Sequence, residues 1–426
     1  MKVLWVTMNS NLFNAASSED GYNGGGWISS LFKTIKEYAP NIKLGVTFLS
    51  NDNLTNKQEI NGTIYYPIKR KKYSLLKKLY YYWGGYKSDT PNKYYIPLKQ
   101  IIDDFQPDLI HLWGTENPLA CISLISSKPV VVHIQGILSA YYENYYPYKM
   151  NKYSFYFNYI TPQEWITHNG YNCAEKVMYY NAQKEKTYLQ HIQYIMGRTH
   201  WDYQITRLLS PHSRYFHVDE ILRDEFYSAK VWEKKKNNTL ILLSTISETA
   251  YKGFDIIIRT SHILISLGIN NFEWHVIGIK QDSDFAKIYF KQWNECKDAL
   301  TKIKLLGTQT PKGIISELQN CDLYIHPSYI DNSPNSLCEA QILGVPTIAT
   351  NTGGISSLIS KEQYYNLIPT NSPLELAYAI NEKIKDEERT KSDAANNRKI
   401  ALIRHNKRAI VNTLIEVYNT IKINEK

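Results

Sequence analysis

The sequence predicts an α/β protein of two doubly wound, Rossmann-like domains. Short β-rich runs alternate with helical stretches along the chain, which is typical of parallel sheets covered by helices. The runs fall into two series on either side of the polar segment 233–238, Glu-Lys-Lys-Lys-Asn-Asn. A chain of 426 residues is long enough for two full cores. We expect the first domain at 1–222 and the second at 223–405.

Each predicted strand is a short apolar run followed by a helical or polar stretch. The first series lies at 2–7, 42–49, 63–68, 108–113, 129–134, 194–199 and 215–218. The second lies at 239–245, 272–278, 303–307, 323–327, 346–350 and 364–369. Helix starts agree with the second series, because Thr310-Pro311 and Ser372-Pro373 each pair an N-cap residue with proline at the first helical position. Glu375 would complete a capping box with Ser372.

Composition excludes several classes of protein. Apolar residues make up 43% and charged residues 21%, which are globular values without collagenous or disordered bias. The N-terminus reads as a strand rather than a signal peptide, and no apolar run is long enough for a membrane span. The five cysteines are scattered, with no Cys-x-x-Cys, and fit reduced thiols. We expect a cytoplasmic protein.

The most informative segment is 326–346, which reads as a strand end, a loop and a helix. Ser333 can act as N-cap with Pro334 at the first helical position, and the helix stops before Gly344. The N–H groups at 335–337, on Asn335, Ser336 and Leu337, would then face the loop with the positive end of the helix dipole behind them. Two carboxylates, Asp331 and Glu339, flank this anion-binding end. Such a combination suits a nucleotide sugar.

This segment resembles the Glu-x7-Glu signature of retaining glycosyltransferases of family 4, which have the GT-B fold. The resemblance implies two Rossmann-like domains with the active-site cleft between them, and a terminal helix, here about 406–426, that packs back on the first. In that family the second acid, matched by Glu339, holds the donor ribose. The first acid holds a hydroxyl of the donor sugar. Its position carries Asp331, which is one methylene shorter.

Three further tracts resemble donor-binding positions of this family. The glycines at 24–26, here Gly25 and Gly26, match a loop whose amides face the donor phosphate. Lys252-Gly253 matches the end of Arg-x4-Lys-Gly, in which both cations neutralise the diphosphate, but Ser247 stands in the arginine position. Arg198 is the alternative source of the second charge. Gly307 and Thr308 match the positions at which backbone groups of the family contact the nucleotide base.

Two histidines end apolar runs at the expected carboxyl edge of the first sheet, where α/β proteins bind ligands. His133 resembles the family histidine that contacts the donor sugar, although a lone histidine at such a place is usually structural. His111 is the weaker candidate. The Asp282-Ser283-Asp284 tract matches an Asp-x-Asp metal motif in its letters, but it lies in a second-domain loop. GT-B enzymes hold the diphosphate with amides and cations, so we expect no metal and no cofactor.

Basic and aromatic residues concentrate between Lys69 and Lys93. A solvated, tyrosine-rich helix face is one interpretation of this tract. Contact with an anionic membrane is another, and nucleic-acid binding is a distant third that we do not adopt. A membrane role would place the protein on the inner face of the plasma membrane.

These features predict a retaining, metal-independent glycosyltransferase. It would move a sugar from a nucleotide-sugar donor to a saccharide or lipid-linked acceptor in bacterial surface polysaccharide synthesis. The catalytic set would be Lys252, Asp331, Glu339 and His133. A GT-B sugar-nucleotide epimerase and a non-catalytic subunit with the same fold are the alternatives, and turnover of a nucleotide sugar would separate them.

Overall fold

A computed structural model describes residues 1–8, 10–17, 26–50, 56–70, 92–151, 153–154, 171–235 and 238–424. Two sequence predictions include residues outside these ranges. Gly25, with most of the glycine loop, lies outside the described residues, as does 71–91 of the basic tract. Lys69 and Arg70 are described and exposed.

Strands form where the short apolar runs were predicted. They are β1 Lys2–Val6, β2 Lys43–Ser50, β3 Gln58–Ile60, β4 Thr63–Lys69, β5 Leu109–Trp113, β6 Val130–His133, β7 Tyr194–Gly197, β8 Arg214–His217, β9 Leu240–Thr245, β10 Phe272–Ile277, β11 Ile303–Gly307, β12 Leu323–His326, β13 Thr347–Thr350 and β14 Leu367–Ile368. The prediction missed β3, a three-residue strand that pairs with β4 in the antiparallel orientation.

Helices occupy most of the connections between these strands. They are α1 Asn11–Ser17, α2 Gly26–Tyr38, α3 Asn92–Phe105, α4 Leu138–Glu143, α5 Tyr171–Leu189, α6 His200–Leu209, α7 Asp224–Ser228, α8 Phe254–Ser266, α9 Asp284–Gln292, α10 Lys297–Leu300, α11 Pro311–Asn320, α12 Asn335–Leu343, α13 Pro373–Lys385, α14 Glu387–Arg404 and α15 Lys407–Asn424. The predicted terminal helix, about 406–426, is α15, and residues 405–406 separate it from α14.

Two sheets confirm the predicted fold class. The first has the order β3-β4-β2-β1-β5-β6-β7-β8, and the second β11-β10-β9-β12-β13-β14. Without its edge strands β3 and β8, the first sheet has the doubly wound order 3-2-1-4-5-6, and the whole second sheet has the same order. These strands pair in parallel. Each sheet therefore has one switch point, at β1/β5 in the first and at β9/β12 in the second, where ligands of such folds bind.

Contacts divide the chain into two compact units. Unit 1 comprises 1–142, 162–221 and 406–426, and unit 2 comprises 143–161 and 222–405. The described residues 143–151 and 153–154, which the sequence analysis placed in the first domain, thus group with unit 2.

The terminal helix packs on the first sheet within unit 1. Trp5 Nε1 donates to Tyr418 Oη at 3.2 Å, and the same hydroxyl lies 2.6 Å from His111 Nδ1. One turn further along α15, Lys422 Nζ lies 3.1 Å from Asp108 Oδ1. These bonds join residues more than 300 positions apart and give His111 a structural role.

Helix starts agree with the predictions in part. Thr310 accepts from the Gly313 N–H as expected of an N-cap. The predicted capping box at Ser372 is wrong, because the Ser372 hydroxyl donates to Glu375 Oε1 at 3.0 Å instead of accepting from an amide. Among the described helices, none is both long and apolar enough to cross a bilayer.

Candidate functional site

Three loops meet at the β9/β12 switch point of unit 2. Tyr329 N–H donates to the Tyr251 carbonyl at 2.8 Å, which ties the loop after β12 to the loop after β9. Gly253 has a φ of +78°, and a Cβ there would lie 2.1 Å from the Pro327 carbonyl oxygen. Gly353, in the loop after β13, faces the Asp331 carbonyl in the same way at 1.9 Å. Glycine at both positions allows this close packing.

A cluster of charged and polar groups lies on these loops. Lys252 Nζ is 2.6 Å from Asp331 Oδ2, and His326 Nε2 is 3.0 Å from the same oxygen. Burial alone would raise the pKa of Asp331, but the Lys252 charge and the His326 hydrogen bond hold it well below its ordinary value. Burial lowers the pKa of His326. Asp331 is therefore a carboxylate at neutral pH, paired with one lysine.

The helix that follows begins one residue later than predicted. Pro334, not Ser333, is the N-cap of α12, and its carbonyl accepts from the Leu337 N–H at 3.0 Å. This corrects the prediction for Leu337, whose amide is already engaged. The N–H groups of Asn335 and Ser336 remain the ones for which a helix has no internal acceptor. Two amides at the positive end of α12 therefore remain as the predicted anion-binding groups.

Glu339 lies one turn into the same helix and is almost fully buried. The Arg223 guanidinium donates two hydrogen bonds to it, from Nε to Oε1 at 2.8 Å and from Nη2 to Oε2 at 2.7 Å. Arg223 also lies over the Phe226 ring, 4.8 Å from its centroid. Burial raises the pKa of Glu339, and Arg223 opposes that rise. Bidentate pairing fixes the carboxylate plane while leaving each oxygen a further lone pair.

The other predicted donor positions of unit 2 lie along the same sheet edge. The Gly278 N–H donates to the Gly307 carbonyl, and the Gly307 N–H to the Ile279 carbonyl, so the loops after β10 and β11 are joined. Thr308 follows and is exposed. Ser247 Oγ lies 3.0 Å from Thr249 Oγ1 in the loop that leads to Lys252. In unit 2 these positions share one edge of the sheet.

His133 lies in unit 1, at the carboxyl end of β6, within a group of aromatic rings. Its ring stacks with Trp113 at 5.3 Å and meets Trp27 edge-on at 5.2 Å. Its Nε2 lies 3.2 Å from the Val218 carbonyl, so Nε2 carries the proton and Nδ1 can accept a bond. Burial lowers the pKa of His133 to about 3, and the nearby Arg198 charge adds to this. The imidazole is therefore neutral.

Arg198 also belongs to unit 1 and is buried there. Its guanidinium donates to the Gln135 carbonyl at 2.9 Å, lies 3.5 Å from the Glu220 carboxylate and sits over the Trp27 ring. Its charge is thus matched within unit 1, and we do not propose it as the second diphosphate cation. His111 is likewise bound, to Tyr418.

The Asp282-Ser283-Asp284 tract starts a helix. Ser283 is the N-cap of α9 and accepts from the Ala286 N–H at 3.2 Å. Asp284 lies in the first turn, where a negative charge is favourable. The tract thus has a local role in helix capping.

Comparison with solved structures identifies the fold. Sucrose-phosphate synthase of Thermosynechococcus elongatus superposes with a TM-score of 0.71 at 12% identity, covering 99% of both chains. Anabaena HepE in complex with UDP and glucose gives 0.65 at 16% identity, covering 99% of this chain and 100% of that one. The fold is GT-B.

Residues 224–400, in unit 2, match the model of the family described as glycosyl transferases group 1. Unit 2 therefore contains a glycosyltransferase group 1 domain. Protein CapJ of Staphylococcus aureus is 28% identical over 149 residues, 35% of this chain and 36% of CapJ. TuaC of Bacillus subtilis (strain 168), named as a glycosyltransferase of teichuronic acid biosynthesis, is 36% identical over 104 residues, 24% of this chain and 26% of TuaC. The matches span about a third of these relatives or less.

Unit 2 thus contains two ion pairs at its switch-point edge, Lys252 with Asp331 and Arg223 with Glu339. Sequence reasoning predicted Asp331, Lys252 and Glu339 as site residues, but missed His326 and Arg223. His326 could have been found from its place at the end of an apolar strand. Arg223 lies 116 residues before Glu339, and no local pattern signals that pairing.

Proposed function

We propose that this chain is a retaining, metal-independent glycosyltransferase that uses a nucleotide-sugar donor. The observation that carries the proposal is the pairing of Lys252 with Asp331 beside the N-terminus of α12, at the switch point of a glycosyltransferase group 1 domain. A cation, free amides and buried carboxylates at one sheet edge suit a diphosphate flanked by hydroxyl-bearing rings.

The donor would use these groups in separate roles. The diphosphate would take the amides of Asn335 and Ser336 and the Lys252 ammonium. Glu339, oriented by Arg223, would accept hydrogen bonds from the ribose hydroxyls through its remaining lone pairs. Asp331 would accept from a hydroxyl of the donor sugar once Lys252 turns to phosphate. HepE was solved with UDP-glucose, and this favours a uridine nucleotide as the first donor to test.

The chemistry would be charge stabilisation rather than nucleophilic catalysis. As the glycosidic bond to phosphate breaks, negative charge grows on the leaving diphosphate, where Lys252 and the helix amides would stabilise it. In a retaining transfer the acceptor would approach on the face that the phosphate leaves, and a phosphate oxygen would take the acceptor proton.

Screening nucleotide sugars tests the donor assignment. We expect at least one UDP-, GDP- or ADP-sugar to raise the melting temperature, because a ligand at 100 times its Kd stabilises by about 2.7 kcal/mol. Slow release of the nucleotide from that sugar should accompany binding. Binding without any turnover would favour a non-catalytic subunit, and a changed sugar in the recovered nucleotide would favour an epimerase.

Activity is expected to survive EDTA. The cationic partner of the diphosphate would be Lys252, and the Asp282-Ser283-Asp284 tract caps a helix. The measurement is donor turnover before and after exhaustive chelation, with manganese added back. Loss in EDTA that manganese reverses would contradict metal independence.

We further propose that the Lys69–Lys93 tract brings the protein to an anionic membrane, where a lipid-linked acceptor would lie. Lys69 and Arg70 are exposed, and each basic residue near such a surface contributes about 1 kcal/mol, screened by salt. TuaC's name connects a relative with teichuronic acid biosynthesis, which favours a cell-surface polysaccharide acceptor.

Vesicle co-sedimentation tests the membrane proposal. Binding is expected to require anionic lipid, to weaken with salt and to fall when Lys69, Arg70, Lys71 and Lys72 are replaced by Ser. A matched control replaces four exposed basic residues of unit 2, Lys291, Lys297, Lys312 and Lys361, by Ser. Equal binding to neutral and anionic vesicles, or none to either, would leave a soluble acceptor as the better proposal.

A further inference from the structure

A segment of unit 2, residues 143–151, comes from a part of the chain that precedes the rest of that unit. The main part of unit 2 begins only at Leu222. We call residues 143–151 the strap. The strap buries Tyr145 and Met150, which are 6% and 5% exposed, together with Pro147. Because a short connection that buries these side chains must pack on something, the strap is docked on unit 2 rather than solvated.

A tight turn at 147–150 is held by contacts with the end of α9. The Met150 N–H donates to the Pro147 carbonyl at 3.1 Å, and Lys149 within the turn has a φ of +57°. A residue other than glycine rarely adopts this conformation and keeps it only where surrounding contacts fix it. Gln292 Nε2 donates to the Lys149 carbonyl at 3.3 Å, and Lys149 Nζ lies 5.6 Å from the centroid of the Trp293 ring. These contacts fix the turn.

The turn is joined to α8 through the hydroxyl of Tyr329. The Tyr148 N–H donates to Tyr329 Oη at 3.2 Å. The same hydroxyl donates to Oδ2 of Asp255 at 2.7 Å, and Asp255 is fully buried in the first turn of α8. Arg259, one turn further along α8, lies over the Tyr148 ring, 4.7 Å from its centroid. Because a phenol hydroxyl both donates and accepts, Tyr329 connects the strap to α8 through a single oxygen.

The strap also contacts both loops that carry the charged pair of the candidate site. Tyr329 lies two residues before Asp331, and its N–H donates to the carbonyl of Tyr251 at 2.8 Å. The Tyr145 ring of the strap lies 6.4 Å from the Tyr251 ring, within the range of aromatic pairs. Lys252 Nζ lies 5.7 Å from the centroid of that Tyr251 ring. The strap therefore reaches the neighbours of Lys252 and of Asp331.

We propose that the strap positions these two loops. Docked on Tyr329 and Tyr251, it holds them in the arrangement in which Lys252 meets Asp331, and Tyr329 is the positioning residue to which it is bound. A role in donor binding rests on the proposed function, whereas the coupling between strap and loops does not. Coupling between two elements is reciprocal. Releasing the strap should therefore loosen the loops, and a ligand that fixes the loops should fix the strap.

Hydrogen–deuterium exchange of the full chain tests this coupling without a ligand. Tyr145→Ser combined with Met150→Ser removes two buried side chains of the strap and leaves the sequence of both loops unchanged. We expect amides at 249–253 and 329–333 to exchange about 5-fold faster than in wild type or more, which is the low end of typical coupling between sites. Tyr378→Ser, at an exposed position of α13, is the matched control and should exchange as wild type. Wild-type exchange in both loops of a variant whose strap itself exchanges faster would overturn the proposal.

A second variant tests the coupling from the loop and guards against misfolding of the first. Tyr329→Phe keeps the ring and removes the hydroxyl that binds the Tyr148 N–H and Asp255. Residues 143–151 should then exchange faster, while the melting temperature shows a folded chain. Tyr378→Phe, which removes an exposed hydroxyl of unit 2, is the matched control. Unchanged exchange of the strap in Tyr329→Phe would also overturn the proposal.

The UDP-, GDP- and ADP-sugars of the thermal screen test the role in donor binding. Any of them that binds wild type should slow exchange at 143–151, and should bind the Tyr145→Ser, Met150→Ser variant about 5-fold more weakly or worse. Donor binding that leaves both strap exchange and affinity unchanged would overturn the positioning role. Loop exchange that depends on the strap, in a chain that binds none of these sugars, would uphold the coupling and reject the proposed function instead.

Discussion

Glu339→Gln is expected to weaken nucleotide-sugar binding by about 10- to 150-fold. The substitution removes the negative charge that would accept from the ribose hydroxyls, and a hydrogen bond to a charged group is worth about 1.5–3 kcal/mol. Titration calorimetry with the donor found in the thermal screen measures it. The expected result is a higher Kd with binding stoichiometry unchanged.

Glutamine is the better substitution at this position because alanine would remove both the donor contact and the partner of Arg223. Glu339→Ala would leave Arg223 without its bidentate partner, and Arg223 is only 17% exposed. Breaking a buried pair costs about 3–5 kcal/mol, and partial exposure places this one at about 3 kcal/mol or below. Unfolding in denaturant would report that loss, separately from donor affinity.

Glu225→Gln is the matched control for the Glu339 variant. Glu225 is exposed on α7 and its charge reaches Glu339, so the control changes the local potential without changing a direct donor contact. It should leave donor Kd within about 2-fold, as expected for a screened surface charge. Unchanged affinity in Glu339→Gln for UDP-, GDP- and ADP-sugars would reject the nucleotide role of Glu339.

The fold was largely predictable because both sheets consist of short, continuous apolar runs. Parallel strands covered on both faces have this signature, so their positions emerged within a few residues. β3 was missed because its three residues, Gln58 to Ile60, are polar or half-exposed. It pairs with β4 at the sheet edge, where burial imposes little pattern on a sequence.

The candidate site was predictable where its residues lie close together in the sequence. Gly253 and Lys252 stand together in the sequence and in the loop, and Asp331 and Glu339 flank one helix start. Long-range pairing was not predictable, since Arg223 meets Glu339 across 116 residues through the packing of α7 on α12. The N-cap is Pro334 rather than the predicted Ser333. The exact first residue of a helix after a tight loop depends on tertiary contacts, which a local sequence pattern does not contain.

Lys252→Met is expected to lower turnover by about 10²- to 10³-fold while changing donor Kd by less than about 10-fold. The charge on the leaving diphosphate is larger in the transition state than in the bound donor, so a cation that stabilises it acts mainly on kcat. Lys252→Arg should recover part of the rate because it restores the charge. Exposed Lys312→Met, in the first turn of α11, is the matched control and should turn over as wild type.

Lys252→Met should also change how the stability of the folded protein depends on pH. Lys252 and His326 hold the pKa of Asp331 below its ordinary value, so the pair stabilises the folded state above the unfolded pKa of about 3.9 and loses that contribution as pH falls through the folded pKa. Without Lys252 the buried Asp331 keeps only His326, and its pKa should rise. The difference in melting temperature between wild type and Lys252→Met should therefore be largest near pH 7 and shrink below about pH 4. Wild-type turnover in Lys252→Met, with this stability difference present, would leave the lysine a structural partner of Asp331 and place the diphosphate cation elsewhere.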